Sequence, residues 1–191
     1  KVTLAWNQTQ FNFTSVDKVT PGCLTGLIDD PANQKQLYLR LNPDGKPKNL
    51  LVLGASGSGK SVLLQTLIMS IAYTRTPDQA NIYCLDLGAL TSLLHFVGDS
   101  NETTLPHIPR EGGIISFSER ERIIRLLNYL NDQIRKREEI FHASKPPVNN
   151  LSEFNKKQKS RDEQLPEIFL MIDGLAKSMG EHIEQFCEKL D

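Results

Sequence analysis

A chain of 191 residues is long enough for one domain with a substantial core, since folding at this size buries roughly 70% of the unfolded surface. Its 39% hydrophobic and 24% charged residues are ordinary for a globular protein, and a formal net charge of −1 argues against a chain that grips nucleic acid by bulk positive charge. No run approaches the roughly 20 apolar residues of a membrane span, and no signal-peptide pattern opens the chain. Cys23, Cys84 and Cys187, odd in number and without C-x-x-C spacing, read as reduced thiols, with Cys84 in the core.

Residues 1–48 read as a lead-in with strand candidates at Val2 to Trp6 and Leu37 to Leu41. In the second, Leu37, Leu39 and Leu41 alternate with Tyr38 and Arg40, and Asn42-Pro43-Asp44-Gly45 then makes a turn. This segment is expected to cover an edge of a central sheet. From residue 49 the chain changes character. Leu50-Leu51-Val52-Leu53 reads as a buried strand, and Gly54-Ala55-Ser56-Gly57-Ser58-Gly59-Lys60-Ser61 fits G-x-x-x-x-G-K-[ST]. A helix opens directly behind it at Val62 and carries Leu63, Leu67, Ile68 and Ile71 to Tyr73, ended by Thr76-Pro77-Asp78.

The chemistry of that loop follows from its residue types. Gly54, Gly57 and Gly59 let the backbone turn so that successive N–H groups can face an anion, and Ala55, Ser56 and Ser58 are small enough to leave the approach open. The helix N-terminus at Val62 adds unpaired N–H groups and the positive end of its dipole. Lys60 is expected to reach the β- and γ-phosphates of ATP, and Ser61 to offer its hydroxyl to Mg²⁺. The competing reading, a structural glycine turn, does not account for the helix placed immediately after it.

Further along, Ile82-Tyr83-Cys84-Leu85 reads as a short apolar strand with Asp86-Leu87-Gly88 at its carboxyl end, where open α/β sheets place their ligands. Asp86 there is a functional candidate, against the commoner role of a turn or cap. Ala89 to Phe96 reads as a short helix and Gly113 to Ser116 as either another short strand or an extended connection. Ser118-Glu119-Arg120-Glu121 reads as a capping box, followed by Ile123, Leu127, Leu130, Ile134 and Phe141 at helical spacing over roughly 24 residues. Residues 143–165 read as a polar excursion around one short helix, its Lys156-Lys157-Gln158-Lys159 run a solvated face rather than a binding patch.

Ile168-Phe169-Leu170-Met171-Ile172-Asp173 is a second buried strand, this one ending in a carboxylate, and Leu175, Met179, Ile183, Phe186 and Leu190 follow at helical spacing. Paired with the glycine loop this is the Walker B arrangement, with Asp173 beside Ser61 on the metal side. Many phosphate-loop ATPases carry a Glu directly after that Asp to polarise water; here the position is Gly174, and loss of a positioned general base typically costs about 10²–10⁴ in rate. Nucleotide binding without efficient turnover is therefore the expectation, and the catalytic residue is unknown. His95, His107, His142 and His182 show no metal-binding spacing, and His107 reads as a loop hydrogen-bonding residue.

With these residues placed, the sequence resembles the FtsK/SpoIIIE group of hexameric motor ATPases and, within it, the ATPase repeats of type VII secretion motors, the EssC/EccC family. The resembling pieces are Gly26 to Pro31 with Gln34-Lys35-Gln36, Leu50 to Ser61, Ile82 to Gly88, Leu105-Pro106-His107 and Ile168 to Gly174. The resemblance implies a membrane-anchored protein with several ATPase domains in tandem, on the cytoplasmic side of a bacterial membrane, exporting small WXG100-type proteins. Its partners would be the other ATPase domains of the same protein and the secreted substrates. A hexamer is compatible with the full-length assembly, and this segment would not itself enter the membrane.

The expected fold is thus α/β: a RecA-like P-loop NTPase with a central, mainly parallel sheet and helices on both faces. Residues 1–48 are the lead-in and 49–191 an ATPase core expected to be incomplete at its C-terminus. Two alternatives remain at this level. One is a DNA-translocating motor of the same group, for which no basic channel surface is evident. The other is a degenerate nucleotide-binding module that docks export substrates, for which Gly174 is the best support.

Overall fold

The Ile82 to Leu85 run belongs to a strand buried on both faces, and that requires layers above and below it. In the computed structural model, which describes residues 23–41, 49–88, 92–97, 104–109 and 112–175, such layers are present. The chain divides into two compact units, residues 1–51 and 52–191. The strand expected at Val2 to Trp6, the turn at Asn42 to Gly45 and the helix expected over Met179 to Leu190 lie outside the described residues.

In the first unit, β1 (Cys23–Asp30) and β2 (Lys35–Leu41) form an antiparallel hairpin whose register slips by one residue between Leu24 and Gly26. Strand β2 is the alternating Leu37 to Leu41 segment, and β1 was not foreseen. The connection explains why the chain reverses here. Asp30 accepts from the Asn33 backbone N–H at 3.3 Å and from its side-chain amide at 2.8 Å, Pro31 starts a single 3-10 turn, and Gln34 takes a left-handed φ of 51°.

The second unit holds a parallel sheet in the order β4-β3-β5, with β3 (Ala80–Asp86) between β4 (Ile114–Ser116) and β5 (Glu167–Asp173). Side chains alternate across it. Tyr83 and Leu85 of β3 face one side and pack with Ile123, Leu126 and Leu127 of α2 (Arg120–Ala143), joined by Ile168, Leu170 and Ile172 of β5. The even-numbered residues of β3 face the other side, where α1 (Lys60–Thr74) lies against β3 and β5 with Leu67, Ile68 and Ile71 buried. The sheet is therefore covered on both faces, and cutting the fully buried Leu85 back to Ala would cost about 2–5 kcal/mol.

Local chemistry sets the helix ends. Helix α1 stops at Arg75, and the Thr76 N–H then finds the Gln79 side chain at 3.0 Å. Arg75 is pinned to β5 by an ion pair with Glu167 at 2.5 Å and lies over the Phe169 ring at 5.7 Å. Helix α2 has the expected 24 residues, but the Ser118-x-x-Glu121 capping box does not form: the N-cap is Glu119, whose side chain makes no cap hydrogen bond to the helix. Ser116 is still held in the β4 ladder and its hydroxyl pairs with that of Ser118, while the Glu119 carboxylate turns back to accept the Ser116 N–H at 3.0 Å. Partial burial alone would raise the Glu119 carboxyl, yet the Ser116 N–H and the Arg122 guanidinium outweigh it and hold it below the usual range. In the polar excursion, α3 (Leu151–Lys157) is capped by Asn150, which accepts from the Glu153 N–H at 2.8 Å, and Lys156 and Lys157 are exposed.

One expectation fails. Leu50 to Leu53 is not a buried strand: the run pairs with no strand among the described residues and is exposed throughout, Leu53 to 82%. A strand exists only through a neighbour's hydrogen-bond ladder, and four apolar residues in a row cannot report whether that neighbour is present.

Candidate functional site

The glycine loop lies within the second unit and leads straight into α1. Gly57 and Gly59 have φ of 77° and 88°, and a Cβ at either would meet nothing within 4 Å, so these positions need glycine for conformation and not for space. Between them Ser58 closes a turn onto the Ala55 carbonyl at 3.2 Å, and Gly59, the N-cap of α1, accepts the first helical hydrogen bond from Leu63 at 2.9 Å. The N–H groups of the first helical turn have no partner within the helix. Residues 54 to 59 are exposed, Lys60 and Ser61 partly buried, and Val62 exposed on α1.

Lys60 does not point away from the loop. Its ammonium folds back to donate to the carbonyls of Gly54 at 2.9 Å and Ala55 at 2.6 Å, bridging the loop's first residues. Ser61, one residue on, reaches across the fold: its hydroxyl donates to Asp173 Oδ2 at 2.7 Å, joining positions 112 residues apart in sequence. The sheet makes this possible. Phe169, Met171 and Asp173 alternate with the α2-facing residues of β5, so Asp173 leaves the strand end on the side where α1 begins.

Gly174 has a stricter role than its sequence position suggests. Its φ is 76°, and a Cβ there would stand 2.5 Å from Gly88 N, 2.7 Å from Gly88 Cα and 2.9 Å from the Leu87 carbonyl carbon. The ends of β3 and β5 close on each other at this point, with the Leu87 N–H donating to the Asp173 carbonyl at 2.9 Å. The position where a Glu side chain would start is filled by neighbouring backbone.

Asp86 is buried, 1% exposed, and accepts from the Gly88 N–H at 3.1 Å and from the Ser92 hydroxyl at 3.1 Å. It thus holds a turn. Cys84, fully buried on the same face, has its thiol pushed up to about 12, first by burial and then by the Asp86 charge. His107 anchors its loop through Nε2, 2.8 Å from the Arg75 carbonyl. Of the segment Ala89 to Phe96 expected as a helix, residues 94–96 form a 3-10 turn and 89–91 lie outside the described residues. The link from Gln65, whose side-chain amide donates to the Ser92 carbonyl, was not legible beforehand.

The donor set fits a nucleotide with a hard divalent cation. A hydroxyl and a carboxylate oxygen already meet at the start of α1, one residue after Lys60 and behind a loop with open space at Gly57 and Gly59. Among the described residues no group of three or more His, Cys, Asp or Glu is placed to hold a metal by itself. A cation here would depend on Ser61, Asp173, water and the phosphates.

Residues 30–186 match the model of the FtsK/SpoIIIE family. The chain belongs to that family. This FtsK/SpoIIIE domain is 30% identical over 154 residues to the ESX-1 secretion system protein EccCb1 of Mycolicibacterium smegmatis, covering 78% of this chain and 24% of that protein. It is 32% identical over 152 residues to the ESX-4 secretion system protein EccC4 of Mycobacterium tuberculosis, covering 79% of this chain and 11% of the relative. Among solved structures it is similar to Thermomonospora curvata EccC (ATPases 2 and 3) in complex with a signal sequence peptide, with a TM-score of 0.70 at 23% identity over 88% of this chain and 28% of the other. The fold is that of these ATPase domains, as the paired motifs imply. The FtsK/SpoIIIE domain spans only a small part of each relative, and those relatives are secretion-system proteins, which leaves the DNA-translocase reading with less support.

Proposed function

We propose that this domain binds ATP with Mg²⁺ as one ATPase unit of a membrane-anchored type VII secretion motor that exports WXG100-type proteins. The observation that carries the site reading is the 2.7 Å hydrogen bond from Ser61 to Asp173 at the mouth of the glycine loop. In this reading Gly54 to Ser61 and the first turn of α1 cradle the phosphates. Lys60 exchanges its two carbonyl partners for phosphate oxygens, and Ser61 and Asp173 orient the cation and its water shell. Bound Mg²⁺ would neutralise charge between the β- and γ-phosphates.

The secretion-system relatives support the assignment to a motor, and the partners follow from it: other ATPase domains of the same protein and the exported substrates, on the cytoplasmic side of the membrane. No described helix is long and apolar enough to cross a membrane. The crowding at Gly174 favours a domain that binds better than it hydrolyses, because no side chain can start where the water-polarising Glu commonly sits.

The test is thermal stabilisation of the chain by ATP and Mg²⁺. At 100 times the dissociation constant the ligand adds about 2.7 kcal/mol, and Lys60→Ala should lose most of it. An unchanged melting curve of the folded wild-type chain at millimolar ATP refutes nucleotide binding. Single-turnover hydrolysis in the full-length protein, with its other phosphate loops disabled, should fall far below the roughly 10 s⁻¹ typical of enzymes.

A further inference from the structure

Asp86 and Asp173 end neighbouring parallel strands and are direct register partners, so both side chains leave the sheet on the face of α1. They are used differently. Asp173 reaches forward to Ser61, while Asp86 turns inward and accepts from Gly88 N–H through Oδ1 and from the Ser92 hydroxyl through Oδ2. The turn that Asp86 holds is the surface against which Gly174 is packed, and the Leu87 N–H of that turn donates to the Asp173 carbonyl. Ser92 is tied in turn to Gln65. Gln65 stands four residues after Ser61, on the same face of α1.

These contacts close a ring: Ser61, α1, Gln65, Ser92, Asp86, Gly88, Gly174, Asp173 and back to Ser61. We propose that Asp86 is a positioning residue for the Ser61–Asp173 pair, fixing the Leu87–Gly88 turn beneath Gly174 and tying that turn through Ser92 to the helix that carries Ser61. The inference rests on the reading above that this pair organises Mg²⁺. Both Asp86 oxygens accept from donors, which suits a carboxylate; an amide offers a single acceptor oxygen. Asn can keep the Gly88 bond and donate to the Ser92 hydroxyl instead, so it should preserve more of the turn than Ala. Residues that orient a metal ligand typically alter metal affinity 10–100-fold when removed, although they touch neither metal nor substrate.

The experiment compares Asp86→Ala, Asp86→Asn and Ser92→Ala with wild type in the full chain, using two readouts. The first is amide hydrogen exchange at Leu87 without nucleotide, and the second is ATP affinity measured in Mg²⁺ and again in EDTA. Exchange at Leu87 should accelerate about tenfold or more in Asp86→Ala and less in Ser92→Ala. The Mg²⁺-dependent gain in ATP affinity should drop roughly 10–100-fold in Asp86→Ala, with affinity in EDTA held within about threefold and Asp86→Asn restoring most of the gain. Ser92→Ala removes one half-buried partner from the ring and keeps the test open if Asp86→Ala does not fold. Wild-type exchange at Leu87 together with a wild-type Mg²⁺ gain in Asp86→Ala, or in Ser92→Ala where Asp86→Ala does not fold, overturns the proposal. So does an equal loss in Mg²⁺ and in EDTA, which marks Asp86 as merely structural. Should wild type show no Mg²⁺-dependent ATP binding, the nucleotide reading falls, and Leu87 exchange alone still decides whether Asp86 positions this turn.

Discussion

Replacing Gly174 by Ala is the sharpest test of how the two strand ends are built. Two costs follow from the structure. At φ 76° a residue with a Cβ sits in the left-handed region, which costs roughly 1–2 kcal/mol. The new atom would also stand 2.5–2.9 Å from the backbone of Leu87 and Gly88, and relief requires moving one strand end from the other, a displacement of the kind that costs typically 1–3 kcal/mol. Together these destabilise by roughly 2–5 kcal/mol, a fall in melting temperature on the order of 4–20 °C at this chain length. Gly57→Ala isolates the first cost, because its φ is 77° with open space at the Cβ position. Thermal unfolding followed by circular dichroism should therefore order the chains wild type, Gly57→Ala, Gly174→Ala. If Gly174→Ala melts with Gly57→Ala, or within about 2 °C of wild type, the close approach of β3 and β5 at this point is wrong. The same contact means that Gly174→Glu cannot serve as a simple restoration of a missing base, since the glutamate would first have to displace Gly88.

Two further outcomes follow from ionisation. Because the folded state lowers the Glu119 carboxyl from its ordinary 4.5, its contribution is present above that value and disappears as the pH falls through the lower folded one. The melting gap between wild type and Glu119→Gln should hold from neutral pH down to about 4.5 and then close, and a gap constant to pH 3 refutes the Ser116 and Arg122 contacts. With its thiol pushed up to about 12, Cys84 should resist a thiol-specific disulfide reagent at pH 8 in a Cys23→Ser, Cys187→Ser background and react at once in denaturant; rapid reaction of the folded chain counts against its burial.

What could be read from residues alone divides along the range of the interactions involved. Helix α2 was legible because Ile123 and Leu127 repeat at helical spacing among charged residues, a property of a single stretch, although Ile134 of the same pattern is exposed. Its start was misread because the Ser118 hydroxyl is taken by Ser116, the last residue paired with β3, and the Glu119 carboxylate turns back to the Ser116 N–H, none of which is written in the S-x-x-E pattern. Strand β1 was missed for a related reason. Its residues carry no alternation as clear as that of β2, and its partner is fixed by the Asp30 to Gln34 reversal. Leu50 to Leu53 erred the other way, since apolar residues without a partner strand remain in contact with water.

At the site, the glycine loop and the carboxylate ending β5 are each a local pattern that the sequence displays, and their meeting at Ser61 and Asp173 is what a parallel sheet with strand ends on one side makes possible. Gly174 shows where such reading reaches its limit. From spacing, a glycine after that Asp registers as an absent glutamate, a statement about chemistry that was lost. From the fold, the same glycine is required by backbone packed against it, and the requirement is created by Gly88, 86 residues earlier, held in place by Asp86. The glycine and the buried aspartate are then two parts of one arrangement. It follows that, if ATP is hydrolysed here at all, a water-activating side chain would have to be brought to Ser61 and Asp173 by another element, since the position next to Asp173 in sequence has no room for one.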